Sequence, residues 1–318
     1  MKLLVVIVNY KTADLALRAL ASALPDVKTL GARVTVVDNA SGDGSPERLK
    51  AGIAALPDAS LVELVVAEKN GGFGYGNNLA IRRALASSDP PELVYLLNPD
   101  AVADPGAIQR LVAFMDSHPE CGIAGTHITD VGGTTHVSAF RFPSPLGEVE
   151  GTLRLGVATK VLQKWSVWSN PCDRTCQVDW VSGASSIIRR EVLEGVGLFD
   201  ENFFLYFEET DLCRRAAEAG WQTWFVREAS VEHLRAAATG LKDVAKPMPA
   251  YWFQSRRYYF LKQGGSRELW LANLAWLTGQ SLWRLRRRIQ RKPDVDPPNL
   301  LFDFLRHNVA AARAKPKR

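Results

Sequence analysis

The sequence predicts an α/β fold, in which a mostly parallel central sheet is flanked by helices and followed by a helical appendage at the carboxyl terminus. Short apolar runs alternate with stretches of helical periodicity through the first hundred residues, which is typical of parallel strands joined by crossover helices. Polar residues lie at or shortly after the ends of four of the predicted strands. With 318 residues and 47% hydrophobic content, the chain is long enough to bury an α/β core of about 240 residues and still carry an appendage.

The first two predicted strands end in polar residues. A continuous apolar run at residues 3–8 predicts a strand buried on both faces, and it ends at Asn9 before a helical pattern at residues 14–24. A second strand at residues 34–37 ends at Asp38. Right-handed crossovers place the carboxyl ends of parallel strands on one edge of the sheet, where open α/β sheets bind ligands. We therefore expect Asn9 and Asp38 to converge.

A glycine-rich segment follows the third predicted strand. That strand covers residues 61–66, and residues 70–78 then contain four glycines ahead of a predicted helix at residues 79–86. Glycines let a backbone approach a phosphate or a sugar closely at a helix start, although a plain tight turn explains the same pattern. The segment does not match a P-loop, because no Gly-Lys-Ser or Gly-Lys-Thr follows.

The fourth predicted strand, at residues 93–97, leads into Asn98-Pro99-Asp100. One carboxylate together with a substrate diphosphate is enough to hold a hydrated divalent ion such as Mg²⁺. In isolation, Asp100 is also explained as a turn residue ahead of Pro105. Four polar strand ends in succession favour a ligand site over four independent turns.

Three carboxylates lie within residues 208–211, directly after an aromatic run at residues 203–207. Aromatic side chains exclude water, and a desolvated carboxylate has the raised proton affinity that suits a general base. The alternative is structural, because residues 208–219 predict a helix, and acidic residues in a first turn offset the positive end of the helix dipole. A small-residue turn at residues 182–184 precedes the cluster and His233 follows it, which suggests transfer chemistry at a metal.

The order of these motifs resembles that of a family 2 inverting glycosyltransferase of GT-A fold, and most of all the rhamnosyltransferase-like branch. The resemblance runs from residue 1 to about residue 240, and its specificity comes from seven motifs in the right order. The motifs are Val8-Asn9-Tyr10, Val37-Asp38-Asn39-Ala40-Ser41, the segment from Asn70 to Asn78, Asn98-Pro99-Asp100, Trp180-Val181-Ser182-Gly183-Ala184, Glu208-Glu209-Thr210-Asp211-Leu212 and His233.

The resemblance implies a role for each of these positions. Asp100, as the last residue of the family's Asp-x-Asp motif, is expected to hold Mn²⁺ or Mg²⁺ on the donor diphosphate, and His233 to complete the metal site. Glu209 matches the second acid of the family's Glu-Asp pair and is the expected catalytic base, with Glu208 as the alternative. The expected donor-binding residues are Asn9, Asp38, Asn39, Asn70, Gly72, Asn78 and Asp100. The expected acceptor-binding residues are Trp180, Gly183 and Asp211.

Two positions depart from the family pattern. Asn98 replaces the first aspartate of the metal motif, so the site has fewer negative ligands. Such a site is expected to hold its ion weakly until the donor supplies phosphate oxygens. Glu209 stands where the family often has aspartate, and its extra methylene leaves open whether Glu209 or Glu208 is the base.

The implied activity is a metal-dependent, inverting transfer of a sugar from a nucleoside diphosphate, with dTDP-rhamnose as the first donor to test. The expected acceptor is a glycan or a polyprenyl-linked glycan in cell-wall or polysaccharide synthesis. Two alternatives stay open. One is a sugar-nucleotide-binding protein that has lost catalysis, for which Asn98 and Glu209 are the reasons. The other is a nucleotidyltransferase, which would be expected to carry a basic pyrophosphate loop near the start, and Asn9-Tyr10-Lys11 does not supply one.

Positive charge is concentrated near the carboxyl terminus. Residues 251–318 carry 15 Lys and Arg against 4 Asp and Glu, whereas residues 1–250 carry 24 against 30, for an overall net charge of +5. This contrast predicts a catalytic domain at residues 1–245 and a basic helical region at residues 246–318. No nucleic-acid recognition motif accompanies the charge, so a nucleic-acid partner is not expected.

The basic region contains an apolar segment at residues 269–283 that carries Trp270, Trp276 and Trp283. It is too interrupted by polar residues to span a bilayer, which takes about 20 apolar residues. A basic helix with tryptophans is typical of contact with an anionic membrane surface, and a helix packed on the catalytic domain is the alternative. We therefore expect a cytoplasmic protein in peripheral contact with the inner face of the cytoplasmic membrane.

The four cysteines, Cys121, Cys172, Cys176 and Cys213, do not form the pattern of a disulfide framework or a zinc site, so reduced thiols are expected. The apolar amino terminus is interpreted as a strand and not as a signal peptide, because it runs into polar residues without a cleavage pattern. Residues 140–178 show little periodicity and predict a loop or short helix on the acceptor side.

Overall fold

The computed structural model describes residues 1–167, 173–234 and 246–313. The chain divides into two compact units. The sheet unit comprises Met1–Phe140, Asn170–Phe204 and Glu208–Thr239, and the helical unit comprises Arg141–Ser169, Leu205–Phe207 and Gly240–Arg318. The helical unit therefore includes two earlier segments besides the predicted carboxyl-terminal region, and the boundary between residues 245 and 246 stays a prediction.

The strands and helices of the described residues follow in chain order. The strands are β1 Leu3–Asn9, β2 Arg33–Asp38, β3 Val62–Val66, β4 Leu93–Leu97, β5 Ala101–Ala103, β6 Cys121–Thr129, β7 Thr135–His136, β8 Ala139–Phe140, β9 Cys176–Val178, β10 Trp180–Val181, β11 Ser185–Arg189 and β12 Gln222–His233. The α-helices are α1 Ala13–Thr29, α2 Ser45–Ala54, α3 Phe73–Leu85, α4 Ala107–Ser117, α5 Pro145–Leu153, α6 Gly156–Leu162, α7 Arg190–Val196, α8 Glu208–Glu218, α9 Ala250–Ile289 and α10 Leu300–Arg313.

The main sheet has the strand order β3-β2-β1-β4-β11-β6-β12-β5, with β7 paired to β6 and β9 paired to β12. The pairs β3-β2, β2-β1, β1-β4 and β6-β12 are parallel, whereas β11 runs antiparallel to both of its neighbours. Strands β8 and β10 form a separate antiparallel pair. The predicted α/β fold with a mostly parallel sheet, surrounding helices and a helical carboxyl-terminal region is confirmed.

The core of the sheet unit lies between the sheet and its helices. Strands β1 and β4 are buried along almost their whole length, as their continuous apolar sequences predict. Helix α1 buries an apolar face at helical spacing, including Ala16, Leu20 and Val27. This packing holds the carboxyl ends of β1, β2 and β4 at one edge of the sheet.

Helix α3 begins at Phe73, six residues before the predicted start, so that part of the prediction is wrong. Two of the glycines assigned to a loop lie inside the helix. A Cβ atom on Gly76 would lie 2.6 Å from the Val8 side chain of β1, and one on Gly74 would lie 2.9 Å from Cβ of Phe199. Glycine disfavours a helix in isolation, but here the close packing that it permits decides the conformation.

The helical unit has its own apolar core, formed by Phe253, Trp276, Leu300 and Phe304. The rings of Trp276 and Phe304 are stacked, with centroids 4.0 Å apart. Helix α9 is interrupted by non-helical backbone at Gly264 and Gly265. The expectation of helices in this region is confirmed, and two further helices, α5 and α6, lie in the stretch for which a loop or short helix was predicted.

The tryptophans of α9 do not share one exposed face. Trp276 and Trp283 are buried within the helical unit, and only Trp270 is exposed. The Trp283 ring lies beside the guanidinium groups of Arg154 and Arg286. The expectation that all three tryptophans contact a membrane is therefore wrong for two of them, because their rings complete a core. No helix among the described residues is long and apolar enough to cross a membrane.

The cysteines differ in part from the expectation. Cys121 and Cys213 are free and buried, as predicted. Cys176 is disulfide-bonded, which corrects the expectation of a reduced thiol at that position. Cys172 lies outside the described residues.

Candidate active site

The first two predicted strand ends meet, as their parallel register requires. Asn9 of β1 lies opposite Asp38 of β2, and the Asn9 side-chain amide donates a 2.7 Å hydrogen bond to the Asp38 carboxylate. The hydroxyl and backbone amide of Ser41 also donate to that carboxylate, at 2.6 and 3.0 Å. Asn9 and Asp38 are both fully buried. The sequence analysis placed Ser41 in a motif but predicted no role for it. The structure shows that Ser41 orients the Asp38 carboxylate.

Asn39 connects this corner to the glycine-rich segment. Its side-chain amide donates to Oδ1 of Asn70 at 3.0 Å and to the carbonyl oxygen of Gly72 at 2.9 Å. The Gly72 amide donates in turn to Oδ1 of Asn70 at 3.0 Å. Oδ1 of Asn39 is buried and has no hydrogen-bond partner among the described residues. The three predicted donor-binding residues therefore form one connected group.

Gly72 joins the start of α3 to the loop that precedes the acidic cluster. Its φ of +90° and ψ of −174° are accessible to glycine alone. A Cβ atom at this position would overlap the carbonyl oxygen of Phe204, which accepts a 3.1 Å hydrogen bond from the amide of Phe73. The glycine thus brings two distant segments together.

Asn78 is completely buried. Its amide nitrogen donates to the Phe199 carbonyl oxygen at 2.8 Å, and its Oδ1 accepts from the Phe199 amide at 3.1 Å. These paired bonds fasten α3 to the segment before α8. The donor contact predicted for Asn78 stays a prediction, and the contacts present are structural.

Asp100 and His233 lie next to each other although 133 residues separate them in the chain. Strand β12 pairs with β5 so that His233 lies opposite Ala101, and the Leu234 amide donates to the Asp100 carbonyl oxygen at 2.9 Å. The distance from His233 Nε2 to Asp100 Oδ1 is 2.9 Å. Both side chains are mostly buried, with 14% of the histidine and 3% of the aspartate exposed.

This pair fits one side of a divalent metal site. A carboxylate oxygen and an imidazole nitrogen both suit Mn²⁺. The described residues contain no group of three His, Cys, Asp or Glu side chains that could enclose an ion. The expectation drawn from Asn98, that phosphate oxygens of the donor complete the coordination, stays a prediction.

Glu208 and Glu209 occupy the first turn of α8. The Glu208 side chain is buried, and one carboxylate oxygen of each residue is buried without a hydrogen-bond partner among the described residues. Burial raises the pKa of Glu208 well above its ordinary value, and the neighbouring Glu209 raises it further. Burial also raises the pKa of Glu209, while a hydrogen bond from the backbone amide of Gly183 favours its charged form. Two adjacent carboxyl groups thus have different environments.

Gly183 packs closely against Phe73 and Glu209. A Cβ atom on Gly183 would lie 3.2 Å from the Phe73 ring and 3.7 Å from Cβ of Glu209. The same turn is tied to the metal motif, because the Asn98 amide donates to the Ala184 carbonyl oxygen at 2.9 Å. The turn therefore connects the acid pair to the Asp100 segment at one sheet edge.

Trp180 and Asp211 have different surroundings. Trp180 is partly exposed, and its ring stacks on Phe140 across the small β8-β10 pair, with centroids 4.2 Å apart. Asp211 is completely buried and accepts a 2.8 Å hydrogen bond from Nε of Arg215, which also donates to backbone carbonyls of residues 196–198. The acceptor contact predicted for Asp211 is untested. Arg215 was missed, although its spacing of four residues from Asp211 on a helix indicates such a pair.

Comparison with known proteins supports the assignment that the motifs suggest. A family model described as "Glycosyltransferase like family 2" matches residues 2–250. The chain belongs to glycosyltransferase family 2. Within this family, the chain is 31% identical over 265 residues to an N-acetylglucosaminyl-diphospho-decaprenol L-rhamnosyltransferase of Mycobacterium tuberculosis, covering 78% of this chain and 80% of that protein. It is 26% identical over 157 residues to the rhamnosyltransferase WbbL of Escherichia coli, covering 49% of this chain and 58% of WbbL.

The fold of this family 2 enzyme is also found in solved structures. A mannosyltransferase from Pyrobaculum calidifontis in complex with GDP-Man and Mn²⁺ aligns with a TM-score of 0.58 at 16% identity, covering 99% of this chain and 81% of that one. This likeness supports the predicted GT-A fold. The family model makes the chain a glycosyltransferase, and the nucleotidyltransferase alternative is not supported.

Proposed function

We propose that this glycosyltransferase moves a sugar from a nucleoside diphosphate to a lipid-linked glycan with inversion at the anomeric carbon, and that it uses Mn²⁺ or Mg²⁺. Rhamnose from dTDP-rhamnose is the first donor to test, because two relatives are rhamnosyltransferases. A polyprenyl diphosphate carrying N-acetylglucosamine is the first acceptor to test, because one relative's name includes that group. We place the enzyme at the cytoplasmic face of the membrane.

The observation that carries this proposal is the environment of Glu209. Its carboxylate is partly desolvated, which raises its affinity for a proton, and the Gly183 amide orients it. A general base needs both properties, because it must hold one geometry and accept a proton near neutral pH. We place the acceptor hydroxyl beside this carboxylate, where any side chain at position 183 would crowd the Phe73 ring.

In the proposed step, a carboxylate oxygen of Glu209 takes the proton of the acceptor hydroxyl while the hydroxyl oxygen attacks the anomeric carbon. The bond to the leaving nucleoside diphosphate breaks in the same displacement, so the configuration inverts. Asp100 and His233 would hold the divalent ion, which, when bound, offsets the charge that develops on the diphosphate. Asn9 and Asp38 would bind the nucleoside, and Ser41 keeps Asp38 in position.

Glu208 is given a positioning role. Burial raises the pKa of Glu208 well above its ordinary value, and the neighbouring Glu209 raises it further, so the neutral form of Glu208 is favoured. A neutral neighbour avoids a second negative charge beside the base. The two adjacent glutamates titrate as a pair, because the charge on one affects the pKa of the other.

A direct test is sugar transfer by the purified full chain, measured with dTDP-rhamnose, other nucleotide sugars and a short-chain N-acetylglucosaminyl diphospho-lipid. The proposal expects donor-dependent product with inverted configuration, and faster transfer with Mn²⁺ or Mg²⁺ than with a chelator. Thermal shifts with the same donors identify binding independently, since a ligand that binds the native state raises the melting temperature. Product of retained configuration would contradict the proposed displacement.

A further inference from the structure

Exposed apolar side chains are concentrated in the helical unit. Among the described residues, 14 of the 18 large hydrophobic side chains with substantial exposure belong to it. The sheet unit contains only Tyr10, Val66, Val131 and Phe204 of this set. Where exposed apolar residues form a contiguous patch, they mark an interaction site more often than isolated exposed residues do.

The part of α9 after the glycine break has an unusual distribution of side chains. Its buried residues include Leu269, Trp276, Gln280 and Trp283, which face the core of the helical unit. Surface helices normally turn charged and polar residues to the solvent. Here, six of the ten exposed residues between positions 267 and 289 are instead apolar, and they are Trp270, Leu271, Leu274, Leu282, Leu285 and Ile289.

The ten exposed residues form one continuous face. At about 100° per residue, they fall within an arc of about 120°, and we call this arc the outer face of α9. The other four members are Arg267, Thr278, Ser281 and Arg288. The outer face thus carries two positive charges, one near each end, and no carboxylate.

We propose that the outer face of α9 is the surface by which this enzyme docks on an anionic lipid bilayer. The helix would lie in the plane of the interface, with Trp270, Leu274 and Leu285 inserted and Arg267 and Arg288 at the level of the lipid phosphates. Exposed leucines and a tryptophan between flanking arginines are the composition of helices that bind membrane interfaces. This inference rests on the proposed function, which requires access to an acceptor embedded in a membrane.

The proposal differs from the sequence-based expectation in the residues that it assigns. Trp276 and Trp283 belong to the core and are excluded from the contact. The basic residues Arg286 and Arg287 are also engaged within the unit. Arg286 donates to the carbonyl oxygens of Leu153 and Arg154, and Arg287 pairs with Asp294. Charge on the outer face, and not the total charge of the region, is therefore what an anionic lipid would meet.

The test compares two double variants of the full chain in flotation assays with phosphatidylcholine vesicles that contain or lack phosphatidylglycerol. Leu274→Glu/Leu285→Glu changes the outer face of α9. Val66→Glu/Val131→Glu adds the same charge at exposed apolar positions of the sheet unit. Because burial of each leucine contributes about tenfold or more to partitioning, the first variant should lose on the order of 100-fold in vesicle binding. The control should bind like the unmodified chain.

Two further measurements keep the outcome decisive. Circular dichroism melts show whether the outer-face variant is folded. If it is not, quenching by brominated lipid is compared between the unmodified chain and Trp270→Phe, and the proposal expects most of the quenching to disappear. Raising the salt from 0.1 M to 1 M should weaken binding, since the Debye length falls from about 10 Å to about 3 Å.

Other outcomes would overturn the proposal. Equal vesicle binding by both double variants would place the contact elsewhere. A dimeric unmodified chain that becomes monomeric in Leu274→Glu/Leu285→Glu, without vesicle binding by either, would make the outer face of α9 an interface between copies. Sugar transfer to a water-soluble acceptor analogue tests the proposed function separately from the docking surface. The outer-face variant should still transfer sugar to this analogue. If the unmodified chain transfers no sugar to it, the proposed function is contradicted and the docking surface is not.

Discussion

His233 Nε2 lies 2.9 Å from Oδ1 of Asp100, because β12 and β5 pair with His233 opposite Ala101. A histidine and a carboxylate from distant parts of the chain thus face one point at the edge of the sheet. Their sequence separation of 133 residues means that only the sheet brings them together. The pair is the basis of the first prediction.

Removal of either member of this pair should impair metal-dependent binding of the donor. Asp100→Ala and His233→Ala should each weaken nucleotide-sugar affinity more with Mn²⁺ present than with a chelator, as measured by calorimetry. Asp104→Ala, which removes an exposed carboxylate from the same segment, is the control and should bind normally. Equal losses of affinity with Mn²⁺ and with a chelator would show that these residues do not act through a metal.

Replacement of the proposed base should abolish most of the transfer and spare the donor. Glu209→Gln keeps the shape of the side chain but removes the proton acceptor, so turnover should fall by roughly 10²- to 10⁴-fold with little change in donor affinity. Glu218→Gln, in the last turn of the same helix and exposed, is a matched control. Near-normal turnover in Glu209→Gln together with collapse in Glu208→Gln would assign the base to Glu208.

Stability should depend on pH through Glu208. Its pKa is raised in the folded protein above the ordinary value of 4.5, so between those two pKa values the folded state binds more protons than the unfolded state. Stability contributed in this way is present below pH 4.5 and is lost as the pH rises through the folded pKa. Glu208→Gln is neutral at every pH. The fall in melting temperature from pH 4.5 to pH 8 should therefore be smaller in the variant, and an equal fall would show that Glu208 ionises normally.

Gly72 should be less tolerant of alanine than a glycine in an open turn. Gly72→Ala and Gly133→Ala both place alanine at positive φ, which costs about 1–3 kcal/mol. Only the alanine at position 72 also meets the Phe204 carbonyl, since a Cβ at Gly133 has open space. Urea denaturation should show a larger loss of unfolding free energy for Gly72→Ala. Equal losses would mean that the Phe204 loop moves away without cost.

The fold and the strand ends were predictable because they depend on local patterns. The apolar runs of β1 and β4 specify strands buried on both faces, and parallel pairing then places Asn9 beside Asp38 without further information. The motif order identified the family for the same reason, since each motif is a short contiguous segment. Helix α8 was also predicted with its start at Glu208.

The remaining features depend on contacts between segments that are distant in the sequence. The glycine-rich pattern of residues 70–78 taken alone predicts a loop. Helix α3 nevertheless starts at Phe73, because its glycines pack closely against Val8 and Phe199, which lie far away in the sequence. Likewise, tryptophan periodicity in α9 cannot show that Trp276 stacks on Phe304 while Trp270 stays exposed.

The sequence by itself determined the α/β architecture, the family and the residue types available at the sheet edge, because hydrophobic periodicity and short motifs are local properties. Only the tertiary structure decided the 2.9 Å distance between His233 and Asp100, and that Arg215 also donates to the backbone carbonyls of residues 196–198. It also decided that Glu208 is the more deeply buried acid of its pair. The physical reason is that burial and pairing depend on the distances between folded segments, and those distances are set by how the sheet and helices pack.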